Sequence, residues 1–430
     1  MHRKSLLIAV LTSSLLLGGC GVTSMAMEQQ TLTSEQNWET IEATTGTSGQ
    51  NRETVADTGA SQADAAKQEP VTDEVPTEAE PEPQPEEVSI IMVGDVLLHT
   101  NVNNSGLQED GTYNYDHLFA QVKDDIEEAD LALVNQEVIL GGTELKLSGY
   151  PAFNGAYEVG DALVDAGFDV ILHATNHALD KGKKGILNCL HFWKENYPDV
   201  GVVGLYETEE ERNQIYVKEI NGIRVAILNY TYGTNGIKPP SDMPYTVNYL
   251  QEQLVRTQIA QAEDLADFTI VCPHWGTEYE LGTSADQRKW AKIFAEEGAD
   301  LVIGTHPHVI EPIEWVETQD GHRMLVYYSL GNFINSTSGT KPGAANRMCG
   351  GMAKVTLVRN EAGEVELAEY DVEPLVTQML TGTGRITTYR FSDYTRELAE
   401  ENEMRKQDKS FSYDYCEQLF EKVWGDLLVD

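Results

Sequence analysis

Two histidines stand one residue apart in "GTHPH", His306 and His308, directly after the apolar run "ADLVI". Imidazoles so spaced after a strand can turn toward one centre or toward two neighbouring ones. Five more side chains with proton- or metal-binding atoms close other apolar runs: Asp95 after "VSIIMVG", Glu137 after "ADLALVNQ", Asn176 and His177 after "FDVILHAT", and His274 in "PHWGTEY". This mixture of imidazole nitrogen with carboxylate and amide oxygen suits Zn, Mn or Fe. The only thiol near a strand end is the strand-interior Cys272, which argues against a structural zinc knuckle. Two divalent ions bridged by one carboxylate, roughly 3.5–4 Å apart, polarise a substrate oxygen and generate hydroxide near neutral pH.

The elements that must carry these groups are short, β-branched runs, apolar on both faces, as expected for strands covered on both sides. Six are evident: "VSIIMVGD", "ADLALVNQE", "FDVILHATNH", "DFTIVCPHWG", "ADLVIGTHPH" and "RMLVYYSLGNF", the last ending at Asn332. Amphipathic stretches, "YEVGDALVDAGF", "VNYLQEQLVRTQIAQAEDLA" and "SADQRKWAKIFAEEGA", lie between them and predict helices. The alternation predicts an α/β fold with parallel pairing, and open α/β sheets place their sites beyond the carboxyl ends of strands. Beyond 345, "GGMAKVTLVRNEAGEVELAEYDVEPLVTQ" predicts a hairpin turning at Asn360–Gly363, followed by helical segments to the end. No P-loop, GxSxG elbow or HExxH pattern occurs. His173 is expected to be a core or supporting residue, and His117, His191 and His322 to be ordinary surface or half-buried residues.

The formal charge is −40, and residues 21–87 supply fifteen acids against Arg52 and Lys67. That segment has one aromatic, Trp38, and closes with "PTEAEPEPQPEE". It is expected to be a disordered, self-repelling linker. Nucleic acid is a poor partner for so acidic a chain, and an anionic substrate needs a locally positive centre. The first twenty residues have the layout of a secretory signal. Their ending, Leu17-Gly18-Gly19-Cys20, resembles a bacterial lipobox, which implies an exported protein tethered to the outer face of the cell membrane by lipid on Cys20. The remaining cysteines, Cys189, Cys272, Cys349 and Cys416, show no CxxC spacing, and no disulfide pair can be chosen from sequence.

Taken in order, "MVGDVLLH", "LVNQE", "ATNHALDKG", "PHWGTEY", "GTHPHVIEP" and "YSLGNF" resemble the capsule-synthesis CapA family, over about residues 88–345. That family is linked to poly-γ-glutamate capsule production and is similar overall to calcineurin-like metallophosphoesterases. The resemblance implies a four-layer α/β/β/α sandwich over 88–345, with residues 346–430 packing on it, and two divalent metals (Mn, Fe or Zn). Asp95 and His308 would hold the first metal, Glu137 would bridge both, and Asn176, His274 and His306 would hold the second. His177 resembles the histidine that protonates the leaving oxygen. Two departures stand out. The usual Asp-x-His opening is missing, since His99 lies four residues after Asp95, and the bridging carboxylate is the longer Glu137, with Asn135 as a further oxygen donor nearby.

The function implied is a membrane-tethered, two-metal hydrolase of phosphoester or amide bonds using metal-bound hydroxide. It would act in capsule or poly-γ-glutamate biosynthesis, on the anionic polymer or on a phosphoester, with capsule-synthesis membrane proteins as further partners. The alternative is a non-catalytic scaffold or polymer-binding component of the same machinery. An exported nucleotidase, a third option, is disfavoured by the missing Asp-x-His.

Overall fold

Strands rich in Val, Ile and Leu with no polar face must be sandwiched between other layers, and two sheets supply them. In the first, β1 (Glu87–Val96), β2 (Leu131–Asn135), β3 (Val170–Leu172) and β4 (Gly201–Val203) pair in parallel in that order. The second has the order β5 (Tyr216–Ile220), β6 (Ile223–Thr231), β7 (Phe268–His274), β8 (Leu301–Ile303), then β10 (Arg323–Tyr327) and β9 (Ile313–Glu317). Its four inner strands are parallel and its two edge strands antiparallel. The computed structural model describes residues 86–339, 343–380, 385–425 and 427. The expected leader, Cys20 and nearly all of the acidic linker lie outside the described residues.

The sheets face each other across one core. Alternate residues of the second sheet, Val225, Ile227, Ile270, Cys272, Leu301 and Leu325, point inward to join Met92 and Leu133 of the first. Cys272 Sγ lies 3.7 Å from Met92 Sδ across the interface. The intervening residues, Ala226, Leu228, Val271, Val302 and Val326, face outward, where Val255 and Ile259 of helix Glu252–Leu265 and Phe294 of helix Ala285–Glu296 cover them. Ser284 and Gln287 form a capping box at the start of the latter helix. Helices Tyr157–Asp165 and Gly182–Asn196 follow β2 and β3 as crossovers, and Trp193 donates its indole N–H to His173 Nε2 at 3.1 Å. The result is the four-layer α/β/β/α sandwich expected from the sequence. Each fully buried Leu, Ile or Val contributes roughly 1.5–3 kcal/mol to it.

Three boundaries differ from the sequence expectation. The linker expected over 21–87 stops short of 87, because Glu87 already opens β1 and Glu86 ion-pairs with Arg359. Residues 346–430 are less an addition to the sandwich than part of its first sheet, of whose eight strands they supply three. β12 (Cys349–Arg359) pairs antiparallel with β1 over seven positions, and β13 (Val365–Met379) and β14 (Ile386–Arg390) extend the sheet beyond it. β11 (Asn332–Ile334) adds a short parallel pairing at the end of β1. The hairpin expected at Asn360–Gly363 is present, with Gly363 N–H donating to Asn360 O at 2.9 Å. The helix expected from Val247 starts only at Glu252, because Val247 and Tyr249 instead bridge to Leu205 and Thr231. Tertiary pairing there overrides a helical pattern. The four described cysteines are buried and free, and the Cys349 and Cys416 thiols are hydrogen-bonded neighbours.

Candidate metal centre

β1 delivers Asp95 by an unusually close approach of two backbones. A Cβ on Gly94 would lie 2.0 Å from Gly331 O, so only glycine lets β1 pass the turn before β11, where Gly331 itself takes φ 67°. Asp95 N–H donates to Gly331 O at 3.0 Å, which fixes where its side chain leaves the sheet. Asp95 Oδ1 accepts from Asn135 Nδ2 at 2.8 Å, and Oδ2 lies 3.1 Å from His308 Nδ1.

Glu137, just past β2, is wholly buried, and neither of its carboxylate oxygens has a hydrogen-bond partner. Three imidazoles stand just outside hydrogen-bonding range. His308 Nδ1 is 3.7 Å from Oε2, while His274 Nε2 and His177 Nε2 are 3.9 and 4.0 Å from Oε1. Two carboxylates taken out of water this close together demand positive charge. Burial pushes the Glu137 carboxyl up, and the Asp95 charge adds to the push while His308 opposes it. Burial alone would lower His308, but Glu137 and Asp95 outweigh it and hold this imidazole up at about 9. His274 and His306 are held well below their ordinary value by burial and by neighbouring imidazoles, and are therefore neutral donors of a lone pair.

All six expected ligands converge. Asp95, Glu137 and His308 form one group whose ligand atoms lie within 4.8 Å of one another. His274, at the end of β7, is 3.8 Å from Asp95 Oδ1, and its Nε2 is 3.0 Å from Asn176 Oδ1. The rings of His306 and His274 are 4.8 Å apart, and buried Nδ1 of His306 has no partner. His306 and His308 both take positive φ, 99° and 58°, in the left-handed region that β-carbon-bearing residues avoid. Backbone held there costs about 1–3 kcal/mol per residue, and is tolerated here while turning both imidazoles to the same centre. His177, expected to carry a proton, sits at the edge of the group. Its Nδ1 is 2.7 Å from Asp180 Oδ2, and the edge of Phe153 packs on its ring at 4.6 Å. His173 is a supporting core residue, as expected, held by Trp193 and Cys189.

Unpartnered Glu137 oxygens, the free Asn135 Oδ1 and the free His306 Nδ1 are the atoms a divalent cation would satisfy, so the residues present fit such ions. Glu278 was not singled out by sequence, although it lies within "PHWGTEY"; it forms a second candidate group with His306 and His308. Asn332, at a strand end noted in sequence, places Oδ1 3.1 Å from His308 Nδ1. Tyr232 and Arg347 had no local sequence signal. Tyr232 lies over His306, with ring centroids 4.5 Å apart, and its hydroxyl reaches Asn176.

Residues 89–337 match the family described as bacterial capsule synthesis protein PGA_cap. Over 258 residues the chain is 30% identical to the capsule biosynthesis protein CapA of Bacillus anthracis, covering 58% of this chain and 60% of that protein. It is 31% identical over 212 residues to the PGA biosynthesis protein CapA of Bacillus subtilis (strain 168), covering 49% of this chain and 52% of that one. The alignments thus span little more than half the length of these relatives. Among solved structures, a 5'-nucleotidase precursor from Thermus thermophilus aligns with a TM-score of 0.41 at 16% identity, over 67% of this chain and 54% of that one. The NAD nucleotidase of Haemophilus influenzae aligns with a TM-score of 0.41 at 13% identity, over 79% of this chain and 60% of that one.

Proposed function

Since the chain belongs to the bacterial capsule synthesis protein family, we propose that it is a metal-dependent hydrolase of capsule or poly-γ-glutamate biosynthesis, tethered outside the cell membrane through lipid on Cys20. Its substrate would be the anionic polymer or a phosphoester, and capsule-synthesis membrane proteins would be its partners. The observation that carries this reading is the wholly buried Glu137 carboxylate, facing Asp95 and three imidazoles with no hydrogen bond of its own.

Two divalent cations would be held here, one by Asp95, Glu137 and His308 and the other by Glu137, Asn176, His274 and His306. Bound there, they would supply Lewis acidity and neutralise charge that develops on a phosphoryl or acyl oxygen. The protein's own groups account for the rest. Asp180 accepts the Nδ1–H of His177 and so leaves Nε2 facing the centre. When His177 is protonated, Nε2–H can pass its proton to the departing oxygen or nitrogen as the bond to it breaks. Phe153 shields that ring from bulk water. Asn135 fixes Asp95 through its amide, and Asn332 fixes His308.

Metal analysis of purified protein beside Glu137→Ala and His308→Ala tests this reading. Wild-type protein is expected to retain divalent metal and both variants to lose most of it; undiminished metal in both would refute the assignment. Complementation then separates catalysis from scaffolding: full restoration of capsule by His177→Ala would favour the non-catalytic alternative.

A further inference from the structure

Among the described residues, three of the six large apolar side chains most exposed to solvent are tyrosines around the metal centre: Tyr150, Tyr232 and Tyr279. Tyr279 is the best anchored. Its N–H donates to the carbonyl of Pro307, the residue between the two histidines, at 2.8 Å, and its ring centroid is 6.0 Å from that of His308. Over the ring lies a cation, with the guanidinium carbon of Arg347 3.6 Å from the ring centroid.

Arg347 is also tied to the centre through its backbone. Its carbonyl accepts from Asn332 Nδ2 and Asn335 Nδ2, each at 3.0 Å, and the Oδ1 of the same Asn332 sits on His308 Nδ1 at 3.1 Å. The backbone that carries the guanidinium is thereby fixed relative to an expected metal ligand. Yet its charge has no counterion among the described residues. In a chain with 70 acids and 30 bases, the described residues place no carboxylate within ion-pairing distance of Arg347, whose one polar side-chain partner is Thr337 Oγ1 at 3.0 Å. Its Nε is buried and unpartnered. Glu278, an acid beside the same tyrosine, is engaged with the Tyr279 hydroxyl. An arginine stationed over an aromatic ring, with donors unspent and no counterion among the described residues, is suited to grip a planar or tetrahedral oxyanion with its fork.

We propose that Arg347, stacked on Tyr279, binds an oxyanion of the substrate, a carboxylate or a phosphate, beside the metal centre. The residue thus sets specificity for anionic substrates in a protein whose overall charge repels them. This rests on the hydrolytic reading of the centre, but its test does not depend on turnover.

Binding of inorganic phosphate and of a γ-linked glutamate trimer is measured by isothermal titration calorimetry on wild type, Arg347→Met, Arg347→Lys and Tyr279→Leu. Each protein is titrated both metal-loaded and after EDTA treatment, with metal content and thermal unfolding recorded. Arg347→Met is expected to weaken at least one probe by about tenfold or more with metal content unchanged, and Arg347→Lys to recover only part of that loss. Tyr279→Leu, which leaves the charge but removes its platform, is expected to weaken the same probe by about threefold or more. The probe that responds identifies phosphate or carboxylate as the source of the anion. If wild type binds neither probe, or if the folded variants bind both as wild type does, the proposal is overturned. A wild type without metal would sink the hydrolytic reading alone, because the EDTA-treated arm still reads Arg347. Should Arg347→Met fail to fold, Tyr279→Leu decides: wild-type affinity for both probes in that variant rejects the proposal.

Discussion

Replacing Glu137 by Gln should change the sign of its effect on stability with the presence of divalent cations. Without them, the wild-type carboxylate is buried beside Asp95 with both oxygens unpartnered. Held out of water, that carboxyl must either bind a proton well above its ordinary value or be charged against His308, and either course costs up to several kcal/mol, whereas an unsatisfied amide of the same shape costs about 1–3 kcal/mol. His308, raised to about 9, is protonated at neutral pH and recovers part of the difference from 3.7 Å. The remaining advantage of Gln is about 1–2 kcal/mol in the metal-free protein. With cation at about a hundred times its Kd, wild type gains about 2.7 kcal/mol, and the variant, lacking the carboxylate between the two sites, gains little. The order of stability therefore inverts. Differential scanning calorimetry in EDTA, then in saturating MnCl2 or ZnCl2, reads this as a crossing of melting temperatures, at roughly 2 °C per kcal/mol for a domain of this size. The account of Glu137 fails if the variant melts lower than wild type in EDTA, or if cations raise both melting temperatures equally.

Gly94→Ala touches no ligand, yet its methyl group would press on Gly331 O and displace Asp95; emission spectroscopy should find lower metal content, with a stability loss of about 1–3 kcal/mol or more in urea titrations. Burial pushes the Glu311 carboxyl up to about 8, against the opposing hydrogen bond from Gln287, so the folded protein holds a proton there that the unfolded chain releases near its ordinary value of 4.5. The stability this contributes is full below about pH 4.5 and is lost, by about 1.4 kcal/mol per pH unit from this group, as pH rises toward 8. Glu311→Gln keeps a partner for Gln287 and should flatten that part of the pH profile when denaturation midpoints are compared at pH 5 and 8.

How much of the centre could be read from sequence follows from where its chemistry sits. Asp95, Glu137, Asn176, His177, His274, His306 and His308 each directly follow or end an apolar run, so the strand that fixes them is written beside them. The neighbours of those strands are not. β1 is apolar on both faces, which demands coverage and pairing but does not reveal that β12, more than 250 residues later, pairs with it. The hairpin between β5 and β6 does carry a local signal: Asn221 and Gly222 take φ 49° and 81°, the two positive angles of a two-residue turn that Asn-Gly favours. Arg347 lay beyond sequence reasoning altogether, since it reaches the centre only through Asn332, Asn335 and the face of Tyr279.

The missing Asp-x-His opening gains a physical meaning from the same geometry. The chain turns directly after β1, where His99 N–H donates to Leu97 O at 2.8 Å. His99 therefore comes to rest against Phe153, the residue that shields His177, with ring centroids 5.6 Å apart, and accepts from Ser336 N–H. It lies outside both groups of potential ligands, while burial and the nearby His308, Arg347 and His177 hold its imidazole down at about 4. A neutral His99 leaves the positive charge at this rim to His308 and Arg347. The group around Asp95 is thus poorer by one imidazole than the Asp-x-His pattern would make it, and Asn135 and Asn332 stand beside Asp95 and His308 as the remaining oxygen donors. On the proposed two-cation reading, oxygen-rich coordination would favour harder divalent ions such as Mn over Zn at that position, whereas the imidazole pair His274 and His306 would favour the softer ions at the other. Titrating metal-free protein with Mn and Zn separately should therefore give two unequal affinities for each ion. Equal affinities at both positions would mean that the loss of the histidine after Asp95 has no chemical consequence.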